Sequence, residues 1–261
     1  MGPRGTRGAM NLAGTPWRRE ALVILCGFAL NPLAAALASG DRAVAVAHAS
    51  DLVGVQRSVG WFPEPAVAGW AAEMPWLLGG AGAFYLAAHV PVTVAVLAWV
   101  LATHPTRYAL VRTTWLLTQV TVLAVNLAWP VAPPRILAGE GFADSLTGVW
   151  GPGAARAAGL LQSPYAAFPS GHAAFAVVAG GALGWLAGAW WLRTLGALYT
   201  VSVVTATVIT ANHFWLDAAA GGVVVALTGA AAHLRSRRAG GRSRRGDPGG
   251  GRARDRAAAP A

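Results

Sequence analysis

The sequence predicts an all-α polytopic membrane protein, a bundle of about six transmembrane helices with interfacial helices in the outer loops. Two observations support this fold class. Of the 261 residues, 55% are hydrophobic and only 11% are charged, whereas a soluble domain averages about 25% charged residues. The apolar residues also fall into six runs of about 20 residues, the length that a helix needs to cross the ~30 Å hydrocarbon core of a bilayer.

The six apolar runs set the order of the chain. They cover residues 20–39, 78–103, 108–130, 170–190, 193–211 and 215–234. The stretch between the first two runs carries charges and three tryptophans, Trp61, Trp70 and Trp76, which is typical of helices that lie on the bilayer surface. Residues 131–168, rich in proline and glycine, form a second long loop.

The chain divides into an N-terminal segment, 1–19, a membrane domain, 20–234, and a basic tail, 235–261. The tail contains nine arginines and shows no apolar periodicity, so we expect it to be disordered. A basic cluster just beyond a membrane helix is typical of the cytoplasmic side, where anionic lipid head groups attract it. We therefore expect contacts with membrane lipids and no binding of nucleic acid.

Arginine placement predicts the orientation in the cell membrane. With the N-terminus inside, sixteen arginines are cytoplasmic and four are extracytoplasmic, which places both termini in the cytoplasm. The start of the chain leaves an alternative open. Arg18-Arg19, the apolar run and Ala36-Leu37-Ala38 also fit a secretory signal peptide that is cleaved before Ser39. The length of the run favours a retained helix, and cleavage would leave five spans.

The segment Pro169-Ser170-Gly171-His172 opens the fourth apolar run. Proline suits an early helical position, serine can cap, and glycine permits close approach of the backbone. The N-terminus of a helix is a ready site for a phosphate because its N–H groups and dipole favour an anion. The alternative is a plain helix cap, although a histidine in the first turn must still find polar partners.

His213 and Asp217 stand one helical turn apart between the fifth and sixth runs. A carboxylate that accepts a hydrogen bond from one imidazole nitrogen fixes the tautomer and makes the other nitrogen the better nucleophile or base. The alternative is a pair that merely caps the last helix. Ionisable groups near a membrane favour a functional interpretation.

The predicted topology brings distant residues to one face. Arg135 follows the third run, His172 begins the fourth, His213 ends the fifth and Asp217 begins the sixth. All four are therefore expected at the extracytoplasmic face, where they would form one interfacial site.

These residues together resemble the type 2 phosphatidic acid phosphatase superfamily of membrane lipid phosphatases and phosphotransferases. Pro169–His172 matches its second motif in full, and His213 with Asp217 matches the His-x-x-x-Asp of its third. Residues 130–135 look like the first motif in the branch related to inositol phosphorylceramide synthases. The resemblance covers about residues 80–234.

Three positions depart from the usual motifs. Ala128 stands where the common first motif has a lysine, Ile136 replaces a proline, and Thr207 stands where the third motif has an arginine. Arg135 is the one matched cation, and its planar guanidinium suits bidentate phosphate binding. The departures favour the phosphotransferase-like branch or a phosphodiester substrate with less charge.

The resemblance implies a role for each matched residue. His213 would attack phosphorus and form a phosphohistidine, Asp217 would orient it, and His172 would protonate the leaving oxygen. Ser170, Gly171 and Arg135 would hold the phosphate oxygens. The family needs no metal, and the sequence offers no dense acidic cluster for one, so neither a metal nor another cofactor is expected.

His89, four residues after Tyr85 in the second run, is either a packed histidine or a substrate-binding residue. We favour binding because a buried polar ring in lipid needs a partner.

The function predicted from the sequence is a membrane phosphatase or phosphotransferase that acts on a lipid phosphate. The alternative is a non-catalytic phospholipid-binding protein or transporter that keeps the fold. The head group, the choice between hydrolysis and transfer to an alcohol, and the oligomeric state stay open.

Overall fold

The described part of the chain is almost entirely helical. The computed structural model describes residues 16–37, 40–137, 139–142, 151, 153 and 163–245. Within them the only β-type contact is an isolated parallel bridge between Val131 and Ala166. The predicted all-α membrane bundle is therefore confirmed.

Nine helices are described along the chain. They are α1 (Pro16–Leu37), α2 (Arg42–Ser58), α3 (Glu64–Ala72), α4 (Pro75–Ala87), α5 (His89–Thr103), α6 (Pro105–Ala128), α7 (Gly171–Leu186), α8 (Trp190–Ile209) and α9 (Trp215–Arg245).

Each predicted apolar run is mostly helical in its described residues, but two of the six differ from simple spans. Helices α1, α6 and α8 and the first 24 residues of α9 are long and apolar enough to cross a membrane. The second run is a bent pair, α4 and α5, which meet at 47° and count together as a fifth span. The fourth run gives α7, which is apolar but has only 16 residues.

The bend between α4 and α5 has an identifiable cause in Pro91. Proline has no backbone N–H, and its ring clashes with the carbonyl four residues earlier, here that of Ala87. Helix α4 ends at Ala87 and α5 begins at His89. The bend therefore falls at Ala88, between Tyr85 and His89.

Helix α7 is too short to cross the bilayer by itself. At 1.5 Å per residue its 16 residues span about 24 Å, against ~30 Å for the hydrocarbon core. Only residues 187–189 join its end to the start of α8. Its first residues, Gly171 and His172, therefore lie several ångströms below the neighbouring end of α8, inside the bundle.

The bundle has two distinct ends. We call the end that carries α2, α3 and residues 129–137 and 163–170 the loop face, and the opposite end the tail face. Helix α2 packs over the loop face, where Ala132 N–H donates to the Ala45 carbonyl at 3.0 Å and His48 Nδ1 lies 2.8 Å from the Pro130 carbonyl.

Exposed tryptophans mark both ends of the bundle. Trp61, Trp70 and Trp76 lie at the loop face, and Trp190 and Trp191 at the tail face. Aromatic belts of this kind are typical of the two membrane–water interfaces.

Small residues let α7 and α8 approach closely. A Cβ atom at Gly180 would lie 2.5 Å from the Gly196 carbonyl oxygen and would clash with the Thr200 hydroxyl. That hydroxyl donates to the Ala176 carbonyl at 3.0 Å. Such contacts are characteristic of helix packing in membranes, where tight packing and interhelical hydrogen bonds replace the hydrophobic effect.

A partly buried ion pair joins α1 to α6 near the tail face. Arg112 Nη1 donates to both carboxylate oxygens of Glu20, at 2.6 and 2.7 Å, and Tyr108 donates to the same carboxylate at 3.0 Å. Nearer the loop face, the rings of Phe28 and Trp115 lie 5.0 Å apart. Helix α1 thus packs as part of the bundle, and residues 38–39, where the cleavage alternative falls, are outside the described residues.

The last helix is longer than the predicted span. Helix α9 continues to Arg245, so residues 235–245 are helical where the sequence predicted a disordered tail. The rest of that tail, 246–261, lies outside the described residues. The correction has a simple reason, since six of these eleven residues are arginine, a good helix former, and the preceding span supplies the nucleus.

We predict that Gly180→Ala lowers the thermal stability of the detergent-solubilised protein, because the added methyl group forces α7 and α8 apart. Overpacking of this kind costs about 1–3 kcal/mol. The matched control is Gly181→Ala on the same helix, where a Cβ atom meets nothing within 4 Å. Equal melting temperatures for the two variants would contradict the predicted close packing.

Candidate active site

A cluster of aromatic rings lies just inside the loop face, where the α4–α5 bend meets the ends of α7, α8 and α9. The His172 ring stacks on Tyr85 with centroids 4.1 Å apart, and His89 meets it edge-on at 4.4 Å. The His213 ring lies 5.8 Å from that of His172. The two histidines of the predicted site are thus close neighbours, and Tyr85 and His89 hold one of them from both sides of the bend.

His213 is positioned by the turn that ends α8. The Asn212 N–H donates to the Thr207 carbonyl at 3.0 Å and the Ala211 N–H to the Val208 carbonyl at 2.9 Å, which is the Schellman pattern of a helix C-terminus. Ala211 takes the left-handed position, with φ of 49°. The turn brings the chain back over the helix end, and the His213 N–H also bonds the Thr207 carbonyl.

The His213 ring has a defined donor side. Its Nδ1 lies 2.8 Å from the Ala167 carbonyl oxygen and 3.4 Å from Asp217 Oδ2. A carbonyl can only accept, so Nδ1 carries the proton, and in the neutral ring Nε2 keeps the lone pair. From the sequence we expected Asp217 to orient the ring. The shorter contact of Nδ1 is instead with a backbone carbonyl, that of Ala167, which no motif indicates.

Asp217 contacts both the start of α9 and the His213 ring. Its Oδ2 accepts the Phe214 N–H at 2.8 Å, which is the reach-back half of a capping box, and it also faces the imidazole. Side chains from α2 and α3 satisfy the next donors of α9: Glu64 accepts from Trp215 N–H at 3.0 Å and Gln56 from Leu216 N–H at 3.4 Å.

Arg135 lies in a 3-10 turn, Pro134–Ile136, directly against the segment that carries His213. Its backbone N–H donates to the Ala211 carbonyl at 2.9 Å, and its Nε donates to Asn212 Oδ1 at 3.0 Å. Asn212 in turn donates to the Thr210 hydroxyl at 2.8 Å. The first and third motifs are therefore joined by hydrogen bonds, and Asn212 is an orienting residue that the sequence analysis missed.

The hydrogen bonds of Ser170 mainly stabilise the fold. Ser170 is fully buried, its hydroxyl caps α7 by accepting the Ala173 N–H at 3.2 Å, and its own N–H donates to the Asp217 carbonyl at 3.0 Å. The Ser170 hydroxyl therefore acts as a helix cap, as the alternative interpretation of this motif predicted. At Gly171 an added Cβ atom would meet only Val122, at an ordinary 3.6 Å.

The N-termini of α7 and α9 are in direct contact at the site. A Cβ atom at Gly221 would lie 2.7 Å from the Ser170 carbonyl oxygen. The lack of a side chain at this position lets the helix that carries Asp217 approach the start of the helix that carries His172.

Comparison with known proteins decides the family. A family model described as the PAP2 superfamily matches residues 50–232. The chain belongs to this superfamily. Membership gives it, in general terms, a phosphatase-type activity on lipid phosphates. Neither the curated proteins nor the solved structures include a significant match to the chain.

The two superfamily cations that this chain lacks map to different places. Ala128 is the last residue of α6 and is exposed. Thr207 is fully buried, donates its hydroxyl to the Val204 carbonyl at 2.8 Å and contributes its carbonyl to the Schellman turn. Thr207, which stands at the position of the missing arginine, thus supports the backbone at His213 through its carbonyl. Among the described residues, no group of three or more His, Cys, Asp or Glu residues could hold a metal ion.

We predict that Gly221→Ala lowers kcat/KM for phosphate release about 10- to 100-fold, because the methyl group displaces the start of α7 and misplaces His172. Gly222→Ala, on the next residue of α9 with nothing within 4 Å, is the matched control and should keep its activity. If both variants turn over at the wild-type rate, the contact does not position the site.

Proposed function

We propose that this PAP2 superfamily member is an integral membrane phosphatase or phosphotransferase that acts on a lipid phosphate through a phosphohistidine on His213. The observation that carries the proposal is the state of the His213 ring. Its Nδ1–H is held by the Ala167 carbonyl, which leaves the Nε2 lone pair for attack on phosphorus. The separation of 5.8 Å between the His213 and His172 rings suits a phosphoryl group held between them.

The first step forms a bond from His213 Nε2 to phosphorus and breaks the bond from phosphorus to the lipid oxygen. His172 gives its proton to that oxygen, so the lipid leaves as a neutral alcohol. Asp217, 3.4 Å from the donor nitrogen, stabilises the positive charge that the imidazole gains.

Phosphate binding is assigned to Arg135 and the start of α7. The side chain of Asn212 accepts a hydrogen bond from Arg135 Nε and so orients the guanidinium. A planar guanidinium can bind two phosphate oxygens at once. The first N–H groups of α7, at Gly171 and His172, have no acceptor within their own helix and carry the positive end of its dipole. Ser170 supports them by capping the helix.

The second step transfers the phosphoryl group from His213 to water or to an acceptor alcohol, with His172 taking the proton. Both outcomes share one intermediate. Alanine and threonine at the two missing cation positions favour a substrate with less charge than a phosphate monoester, in keeping with the phosphotransferase-like branch related to inositol phosphorylceramide synthases.

The orientation is part of the proposal. The described arginines at the tail face include Arg107, Arg112, Arg193 and Arg235, whereas Arg42, Arg57 and Arg135 lie at the loop face. With the more basic tail face in the cytoplasm, the site opens at the extracytoplasmic face.

The test is chemical trapping of the intermediate. Purified protein is mixed with ³²P-labelled lipids, among them phosphatidate, polyprenyl diphosphate and phosphatidylglycerol phosphate, and quenched in alkali, where a phosphohistidine survives. Wild type should carry label on His213. His213→Ala should carry none and should lose turnover at least about 10³-fold, while His104→Ala, at the tail face, should behave as wild type.

Full turnover by a folded His213→Ala protein would exclude this mechanism. Binding of a lipid by wild type without label, phosphate release or a new lipid product would instead favour the non-catalytic phospholipid-binding alternative. That alternative is motivated by the cations missing at Ala128 and Thr207.

A further inference from the structure

A cavity of about 60 Å³ lies between α1, α5, α6 and α7, next to the active site. Among the described residues, His172 borders this cavity and His213 does not. Polar side chains form much of its wall, although it is buried among membrane helices. They are Asn31, His89, Gln119, Asn126, Ser163 and His172.

Four of these side chains each bury a polar atom that has no hydrogen-bond partner among the described residues. The atoms are His89 Nδ1, Gln119 Nε2, Asn126 Oδ1 and His172 Nε2. A buried polar atom without a partner costs about 1–3 kcal/mol, and lipid offers none. Because all four belong to the wall of one cavity, a single kind of occupant satisfies them together. It must accept from the Gln119 amide and donate to the Asn126 carbonyl.

The volume identifies the occupant. A water molecule needs about 10–15 Å³ on this measure, so 60 Å³ takes about four. Pockets for organic ligands usually have about 300–1,000 Å³, so this volume favours water over a larger molecule. Water also both donates and accepts, as the wall requires.

We propose that this cavity, which we call the water cavity, stores the water that hydrolyses the phosphohistidine. The proposal rests on the proposed function of His213 and His172. In the hydrolytic step the water oxygen bonds to phosphorus, its proton passes to His172, and the electron pair of the broken phosphorus–nitrogen bond returns to His213 Nε2. The proton gained by His172 replaces the one given to the lipid oxygen in the first step, so no other reactant is needed.

The position of the water cavity agrees with an in-line displacement. Attack and departure at phosphorus occur on opposite sides, so water must approach from the side away from His213 Nε2. His172 borders the cavity and lies 5.8 Å from the His213 ring. In the proposed step, water leaves the cavity beside His172 and reaches phosphorus on the side away from His213.

The roles of the wall residues follow from these contacts. Gln119 and Asn126, on α6, anchor the water, while His89 contacts both the cavity and the edge of the His172 ring at 4.4 Å. Asn31 donates to the Phe28 carbonyl at 3.3 Å, the carbonyl whose helical partner would be Pro32, so its amide serves the fold of α1. These are positioning residues for water, distinct from the groups that contact phosphorus.

The first test is the double variant Gln119→Leu with Asn126→Leu. Leucine is close in size to both residues, and replacing two polar groups together with the water that they bind by apolar side chains is nearly neutral for stability. Labelled phosphohistidine should form at the wild-type rate but decay about tenfold or more slowly, so the labelled fraction rises at steady state. Thr121→Val, a polar-to-apolar change on α6 outside the cavity wall, should leave formation and decay unchanged.

Three outcomes would overturn the proposal. Decay at the wild-type rate in the double variant would show that the cavity water is not the nucleophile. Slower formation of the phosphohistidine would assign the cavity to the departing alcohol. Loss of transfer to added glycerol with unchanged hydrolysis would make it an acceptor-alcohol site.

A second measurement does not depend on catalysis. Hydroxyl radicals generated by X-rays from bound water oxidise adjacent side chains, so Leu123 and Phe175, which line the cavity, should be oxidised in wild type and protected in the double variant. Val120, which is 53% exposed on the outside of the same helix, is the lipid-facing control. If Leu123 is oxidised no more than Val120, the cavity is dry even if His213 is the nucleophile. If it is oxidised while wild type forms no phosphohistidine, the cavity holds water and the proposed function fails.

Discussion

The candidate active site depends on one buried hydrogen bond, from His213 Nδ1 to the carbonyl oxygen of Ala167 at 2.8 Å. This bond determines which nitrogen of the ring carries the proton and which is left for the attack that we propose. The bond joins two loops that are 46 residues apart, and each loop is anchored independently. A Schellman turn at the end of α8 holds His213, and the Ala167 N–H donates to the Val131 carbonyl at 3.2 Å.

The lack of hydrogen-bond partners in lipid explains why structural roles and proposed catalytic roles overlap at this site. Lipid offers no partners, so the free N–H groups at the start of α9 must be met by the protein. Asp217, Glu64 and Gln56 meet three of them. Asp217 therefore belongs to the helix terminus and to the imidazole at the same time, and α2 and α3 are tied to the site although neither carries a motif.

The sequence predicts the parts of this architecture that depend on composition and local spacing. Apolar runs gave the helices, and short motifs gave His172, His213, Asp217 and Arg135, which the structure brings to one end of the bundle. The lengths and bends of the helices were harder to predict from the sequence. Helix α7 begins at Gly171, below the neighbouring helix end, and Pro91 bends the second span. Pro91 could have predicted this bend, because proline disrupts a helix. Glu64, Gln56, Asn212 and the Ala167 carbonyl were not predictable, because their roles arise only from tertiary contacts between distant segments.

The departures from the superfamily motifs acquire a physical meaning from the fold. Thr207, in place of an arginine, is buried and supports the turn at His213, while Arg135 is joined to the third motif by hydrogen bonds to Ala211 and Asn212. In the proposed function, the phosphate charge is bound by a single oriented guanidinium and the start of α7. A site of this composition suits a weakly charged phosphoryl group better than a doubly charged one.

The most direct measurement of the central claim is an experimental structure with vanadate, which adopts the five-coordinate geometry of phosphoryl transfer. We expect vanadium between the two histidines, with His213 Nε2 as an apical ligand, Nδ1 still bonded to the Ala167 carbonyl, and Arg135 on the equatorial oxygens. Vanadate bound through His172 alone, or a His213 ring turned so that Nε2 faces Ala167, would contradict it.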